Sequence, residues 1–304
     1  LLIDIGGTNL RAGVGNTSSM SISDIQKIKV DSNKHIFDVL HEINSKNNYK
    51  EIVISAAGPV TENKISMTNR NLEINASDLE KELNVNECYL LNDWESIGYS
   101  LPLMTENDFK TVKRGHLESN HTCLAIGPGT GLGFSVLRHV GNVPYVYPTE
   151  LGNARSFNDY LSNLFEIEHS KNFIVLEDYL SGTGIKKIYA EKSGKNLTTE
   201  EIVSDYLNDD LATYILNNFV IALNNILQDL ALTFNARGGI FFAGSLMRTI
   251  SEMNSINYIK EEFNKHSSEA HSDILKNISI NLISKEHTPL YGNLNYSVIR
   301  RLHE

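Results

Sequence analysis

Two apolar strands in this chain each run into a turn built from glycine with hydroxyl or amide residues, then leave as a second strand. The first is DIGGTNLR, residues 4–11, and the second GPGTGLG, residues 127–133. Glycine lets the backbone turn tightly and approach a ligand closely, and successive N–H groups of such a turn converge on an anion. Either turn alone is equally well read as a tight hairpin. Two strand–glycine turn–strand starts in one chain hint at repetition, although no short-period repeat occurs. The length of 304 residues also exceeds what one core usually serves, so two lobes are expected.

The first third reads as a β-meander (LLIDI, RAGVG, DIQKIKV), followed by a helix carrying Ile36, Phe37, Val39, Leu40 and Ile43 and a buried strand, EIVISAAG. Ser77 with Glu80 forms a capping-box pattern ahead of a short helix to Leu83, and CYLLN is a further buried strand. The pattern restarts at TCLAIG, which passes through GPGTGLG into FSVLRHV. From Ser156 to about Asn235 helical periodicity dominates, including a long amphipathic segment from Asp209 to Phe234. GGIFFAG is then a strand, a helix starts near Leu246, and GNLNYSVIRRLHE closes the chain as a helix with Leu294, Val298 and Leu302 on one face.

A formal net charge of -10 disfavours nucleic acid and anionic membranes as principal partners. An anionic ligand must then be held by backbone N–H groups, helix N-termini and metal, which returns attention to the glycine turns. Cys88 and Cys123 are far apart and form no zinc or disulfide pattern. No apolar stretch approaches the ~18 residues of a membrane span, and no charged-then-apolar leader precedes Leu1. The default compartment is the cytoplasm. Because the chain opens inside a strand and without Met, a few residues are expected to precede it.

In DIGGTNLR, Gly6 and Gly7 admit a phosphate, Thr8, Asn9 and Arg11 can bond its oxygens, and Asp4 can hold Mg²⁺ through water. In GPGTGLG, Gly129, Thr130 and Gly131 form an anion nest with a hydroxyl within reach of a γ-phosphate. LLNDWESIGYSLP sets Asn92 and Asp93 at the C-terminal end of an apolar strand, where α/β folds bind ligands. Asp93 reads either as a helix N-cap or as a carboxylate that accepts a proton from a sugar hydroxyl. Glu150 in PTELGNAR and Glu177 in LEDYLSGTG suit bonds to vicinal hydroxyls, and each alone also reads as a solvated surface acid.

Together and in order, these pieces resemble the bacterial glucokinase family. DIGGTNLR is similar to its first phosphate motif, SAAGPVTENKISMTN to the strand pair that follows, LLNDWESIGYSLP to the segment with its catalytic Asp, GPGTGLG to its second phosphate motif, LEDYLSGTG to its second sugar-binding acid segment and GGIFFAG to its adenosine motif. The likeness spans essentially the whole chain. It implies an α/β fold of the actin-like ATPase (ribonuclease H-like) class, two lobes about a central cleft: residues 1–112 plus 289–304 as the small lobe, 113–288 as the large. It implies ATP-dependent, Mg²⁺-assisted phosphorylation of glucose at its 6-hydroxyl, with Asp93 as general base. Asn92, Asp93, Glu150, Asn153 and Glu177 then line the sugar. Asp4, Gly6, Gly7, Thr8, Asn9, Arg11, Gly129, Thr130 and Gly131 face the phosphates and Mg²⁺, and Ala243 and Gly244 the adenosine. The implied partners are a sugar and a nucleotide, with homodimerisation left open.

The chain departs from the family twice. Glu150-Leu151-Gly152-Asn153 stands where the family usually has E-G-G-H, replacing an imidazole near the anomeric hydroxyl by an amide, and Ser245 stands where a second glycine is usual. The first change makes a kinase for another hexose, such as mannose, fructose or an amino sugar, the main alternative. A catalytically weak sugar-binding regulator is another, set against the retention of Asp93, Thr130 and both glycine turns. The Cys-rich zinc motif of the related repressor and open-reading-frame kinase group is absent, which argues against that branch.

Overall fold

The computed structural model describes residues 1–67, 70–168 and 172–302. The chain opens with β1 (Leu2–Ile5), β2 (Asn9–Asn16), β3 (Ser21–Lys29), α1 (Asn33–Asn47) and β4 (Glu51–Ala56). There follow β5 (Val60–Thr61), β6 (Lys64–Met67), β7 (Leu72–Asn75), α2 (Ala76–Leu83), β8 (Glu87–Asn92), α3 (Asp93–Ser100) and β9 (Phe109–Lys113). The middle carries β10 (Cys123–Pro128), β11 (Leu132–Val140), β12 (Val143–Pro148), α4 (Asn158–Phe165), α5 (Gly182–Ser193), α6 (Thr199–Ser204) and α7 (Asp210–Phe234). The last part holds β13 (Gly239–Phe242), α8 (Ser245–Ile250), α9 (Asn257–Glu262), α10 (Glu269–Asn277), β14 (Ile280–Ile283) and α11 (Thr288–Ile299).

Contacts divide the chain into two units, one of Leu1–Thr105, Val140–Pro148 and the chain from Lys285, the other of Glu106–His139 and Thr149–Ser284. In the first, the sheet runs β3-β2-β1-β4-β8. β1 pairs antiparallel with β2 and parallel with β4, which pairs parallel with β8. Ile3, Ile5, Ile52, Ile54 and Leu90 form its core with Ile36 and Leu40 of α1, as expected for parallel strands covered on their faces. β5, β6 and β7 form a separate small sheet; Thr68 and Asn69 of the strand-pair motif lie outside the described residues. In the second unit β11-β10-β13-β14-β9 lie side by side. β10 pairs antiparallel with β11 and parallel with β13, and β13 parallel with β14. Each unit thus has an antiparallel hairpin with a glycine turn at its tip, followed by two parallel strands, the repetition hinted at by the two turns.

The cap of α2 differs from the sequence pattern. Asn75 takes it, its side chain accepting from the Ser77 N–H at 2.9 Å, and Glu80 instead accepts the Cys88 N–H at 3.0 Å. Asn ranks with Ser as an N-cap, and the residue where the strand ends is the one with the extended backbone a cap needs. The C-terminal helix begins earlier than GNLNYSV, at Thr288 with Pro289 in its first turn, and ends at Ile299. α7 matches its expected limits, with Asp209 as cap. By length and composition alone it is apolar enough to cross a membrane, a test that the core helix of a folded unit also meets. Twelve of its residues are buried, and all of them but Asn224 belong to the core of the second unit.

Candidate active site

Asp4 sits in β1, in register with Arg11 of β2 and Ser55 of β4. The Arg11 guanidinium donates to its Oδ2 at 2.8 Å and the Ser55 hydroxyl lies 3.4 Å from Oδ1. Only 5% of Asp4 is exposed. Burial raises its pKa, and the adjoining Arg11 charge opposes the rise. Beyond it the chain turns back at once: Gly6 N–H donates to the Asn9 carbonyl at 2.9 Å, and a Cβ on Gly6 would crowd that oxygen at 3.2 Å. Gly7 and Thr8 at the tip are exposed, and the Asn9 amide donates to the Thr8 hydroxyl at 3.0 Å.

Asn92 ends β8 and Asp93 begins α3. The cap of this helix is Asn92, whose Oδ1 accepts from the N–H groups of Trp94 at 2.8 Å and Glu95 at 3.4 Å, while Glu95 reaches back to the Asn92 N–H. The Asn92 amide nitrogen donates to the Gly58 carbonyl at 2.9 Å. Gly58 holds a φ of +146° with Ser66 O only 2.1 Å from where a Cβ would stand, so no other residue fits there. Asn92 is thereby engaged at both ends of its amide, and Asp93 is left as first helical residue rather than cap. Asp93 is half-buried, with Oδ1 accepting its neighbour Trp94 N–H at 3.0 Å. Burial lifts Glu95 to about 7, against the bond from Asn92.

In the second unit Gly129 and Thr130 are exposed at the tip of β10–β11. Gly129 N–H donates to Gly131 O at 2.8 Å. Gly182 N–H takes Gly129 O at 2.7 Å, and the Thr183 hydroxyl takes Thr130 O at 2.7 Å. The turn's carbonyls are thus drawn to the start of α5, a brace the sequence reading missed; the second Gly-Thr-Gly, at 182–184, was its signal. Glu150 precedes a 3₁₀ turn, Leu151–Asn153, in which Asn153 N–H bonds Glu150 O at 3.0 Å and its amide reaches Glu150 Oε2 at 3.4 Å. Burial raises the pKa of Glu150, the Asn153 bond opposes this, and the Glu177 charge adds to it. Glu177 joins this turn to the glycine turn. Its Oε2 accepts the Leu132 N–H at 3.1 Å, between Gly131 and Gly152, where Cβ atoms would approach it to 2.6 and 2.8 Å. Ala243 follows β13, its N–H on Ile126 O at 3.1 Å, and Gly244, at φ +99°, precedes Ser245 at the start of α8.

Each unit therefore gathers its polar groups where parallel strands end, β1 and β8 in one, β10 and β13 in the other, the usual ligand edge of an α/β sheet. Among the described residues no three His, Cys, Asp or Glu side chains cluster as a metal site. The family model described as Glucokinase matches residues 1–298. The chain belongs to the glucokinase family. It is similar to the glucokinase of Saccharophagus degradans, at 25% identity over 96% of each chain. It is similar also to that of Helicobacter pylori strain J99, at 28% identity over 81% of this chain and 80% of the relative.

Among solved structures it is similar to a glucokinase from an Antarctic psychrotroph, with a TM-score of 0.76, 21% identity and coverage of 99% of this chain and 98% of that one. It is likewise similar to the Balamuthia mandrillaris glucokinase in complex with glucose, with a TM-score of 0.73, 19% identity and coverage of 98% and 92%. A hexokinase of the ROK family from Thermus thermophilus has a TM-score of 0.71 at 15% identity, covering 98% of both. These likenesses give the fold, that of the actin-like ATPases. Membership of the glucokinase family makes the chain an enzyme that phosphorylates a hexose, with ATP as co-substrate.

Proposed function

We propose that the chain transfers the γ-phosphoryl group of ATP to the 6-hydroxyl of glucose, with Asp93 as general base. The observation that carries this reading is the placement of Asp93: first residue of α3, beside a capping box that fixes its backbone, at the end of a parallel strand. A sugar hydroxyl is a poor nucleophile, and a carboxylate within hydrogen-bond reach accepts its proton as transfer proceeds. The glucose complex of the Balamuthia relative supports the choice of sugar.

The roles divide by unit. In the first, Gly6, Gly7, Thr8, Asn9 and Arg11 bind phosphate oxygens, and Asn92 acts chiefly by holding Asp93 in place. In the second, the Gly129–Gly131 turn with the Thr130 hydroxyl binds phosphate, Glu150, Asn153 and Glu177 bond sugar hydroxyls, and Ala243 and Gly244 adjoin the adenosine. Mg²⁺ typically binds through one or two carboxylates, with water and substrate phosphates completing its shell. Asp4 fits that demand as a carboxylate beside a phosphate turn, acting through water because Arg11 occupies one oxygen. The bound ion would neutralise charge developing on the transferring group.

A second reading, a kinase for another hexose, draws on Asn153, exposed and bonded weakly to Glu150 where the family usually has an imidazole. ADP formation with Mg²⁺·ATP across glucose, mannose, fructose and glucosamine separates the two. We expect the highest kcat/KM with glucose. A tenfold preference for another sugar moves the assignment to it, and no sugar-dependent ADP formation refutes both.

A further inference from the structure

In the first unit, a chain of buried hydrogen bonds runs from Asp4 to Ser96 of α3, the helix that Asp93 begins. Asn293 of α11 and Ser96 of α3 have no exposed surface, nor does Ser55 of β4. The Asn293 amide nitrogen donates to Ile3 O at 2.7 Å and to the Ser55 hydroxyl at 3.2 Å. The Ser55 oxygen in turn lies 3.4 Å from Asp4 Oδ1 and 3.3 Å from Ile3 O. At the other end of the amide, Asn293 Oδ1 accepts the Ser96 hydroxyl at 2.7 Å, whose proton is shared with Pro289 O at 2.6 Å. The carbonyl of Ile3 fixes which way the amide faces, because only the nitrogen can donate to it.

The neighbouring residue makes the approach possible. A Cβ on Gly292 would stand 1.7 Å from the Ser96 carbonyl, so α11 meets α3 backbone to backbone at this point. Ser96 is one turn on from Asp93 in α3, and residues three apart share a helix face. An apolar residue in place of Asn293 would leave the Ile3 carbonyl and the Ser96 hydroxyl without this partner. Fully satisfied buried polar groups of this kind specify one arrangement of the elements they join.

We propose that Asn293 is a positioning residue for phosphoryl transfer, holding the Asp4 strand and the Asp93 helix in one register through Ser55 and Ser96. The proposal rests on the kinase reading above and assigns Asn293 no contact with substrate.

The test has a kinetic and a spectroscopic arm. Ser96→Ala removes one link and leaves the bonds of Asn293 to Ile3 and Ser55; Asn293→Ala removes all of them. Each should lower kcat about three- to tenfold at saturating glucose and ATP with both KM values within about twofold. The double variant should be no worse than Asn293→Ala alone, since the link is already gone. Unchanged kcat despite a lowered thermal midpoint, or additive losses, would make the network merely structural and overturn the proposal. Should Asn293→Ala fail to fold, Ser96→Ala decides. The second arm needs no turnover, because Trp94, the single tryptophan, stands beside Asp93 on α3. Asp4→Asn should shift its fluorescence, and the shift should vanish in the Ser96→Ala background. Persistence of the shift in that background, or no shift at all, overturns the relay. An inactive wild-type protein whose Trp94 responds in this way would instead refute the kinase reading and leave the relay standing.

Discussion

Glu95 gives a pH dependence whose size and sign follow from the structure. Its carboxyl closes the capping box of α3 by accepting the Asn92 N–H at 3.4 Å, and burial lifts it from the ordinary 4.5 to about 7. Below pH 4.5 the group is protonated folded or unfolded and affects stability little. Between 4.5 and 7 the unfolded chain releases the proton that the folded chain keeps, so stability falls as pH rises through that window and levels off above it. At ~1.4 kcal/mol for each pKa unit the ceiling is about 3 kcal/mol. Glu95→Gln keeps an acceptor for the Asn92 N–H and removes the ionisation. It should match the wild type near pH 4.5 and gain on it steadily, reaching about 1–3 kcal/mol by pH 8, or several degrees in thermal midpoint. Scanning fluorimetry of both proteins at half-unit steps from pH 4.5 to 8 reads the difference directly. A difference that stays constant with pH would show that Glu95 does not carry a displaced proton.

Two further outcomes concern ligands. Thr130→Val removes the exposed hydroxyl of the second glycine turn and should raise KM for ATP or lower kcat by about two- to tenfold; calorimetry that found glucose binding lost and ATP binding intact would reverse the roles of the turns. Asn153→His restores an imidazole and should lower KM for glucose by about two- to tenfold. Leu151 packs against the core of the second unit and is best left in place. Unchanged glucose KM with collapse of mannose or fructose turnover would favour the other-hexose reading.

The glycine turns, the buried strands and α7 were legible in the sequence because each has a strong local signal: glycine beside hydroxyls, apolar runs, or a 3.6-residue period over seven turns. The α2 cap was not, since Asn75 and Ser77 are comparable caps and only the end of β7 decides between them. Nor was the division of labour at Asn92 and Asp93. Both are good caps by type, and it is the Gly58 carbonyl, 34 residues away in sequence, that helps fix Asn92 in that role. The brace of Thr183 on the Thr130 carbonyl and the wedging of Glu177 between Gly131 and Gly152 depend on contacts 25 to 53 residues apart, which no local pattern records. Asn293 was passed over altogether: a lone asparagine in an apolar helix carries no sign of the strands it will meet.

The central claim is that Asp93 takes the proton of the sugar hydroxyl. It is tested most directly by Asp93→Asn, which keeps the size of the side chain and its acceptor for the Trp94 N–H while removing the base. At saturating glucose and Mg²⁺·ATP, kcat should fall by about 10²–10⁴-fold, with glucose affinity by calorimetry changed far less. A kcat within threefold of the wild type would remove Asp93 from the chemistry.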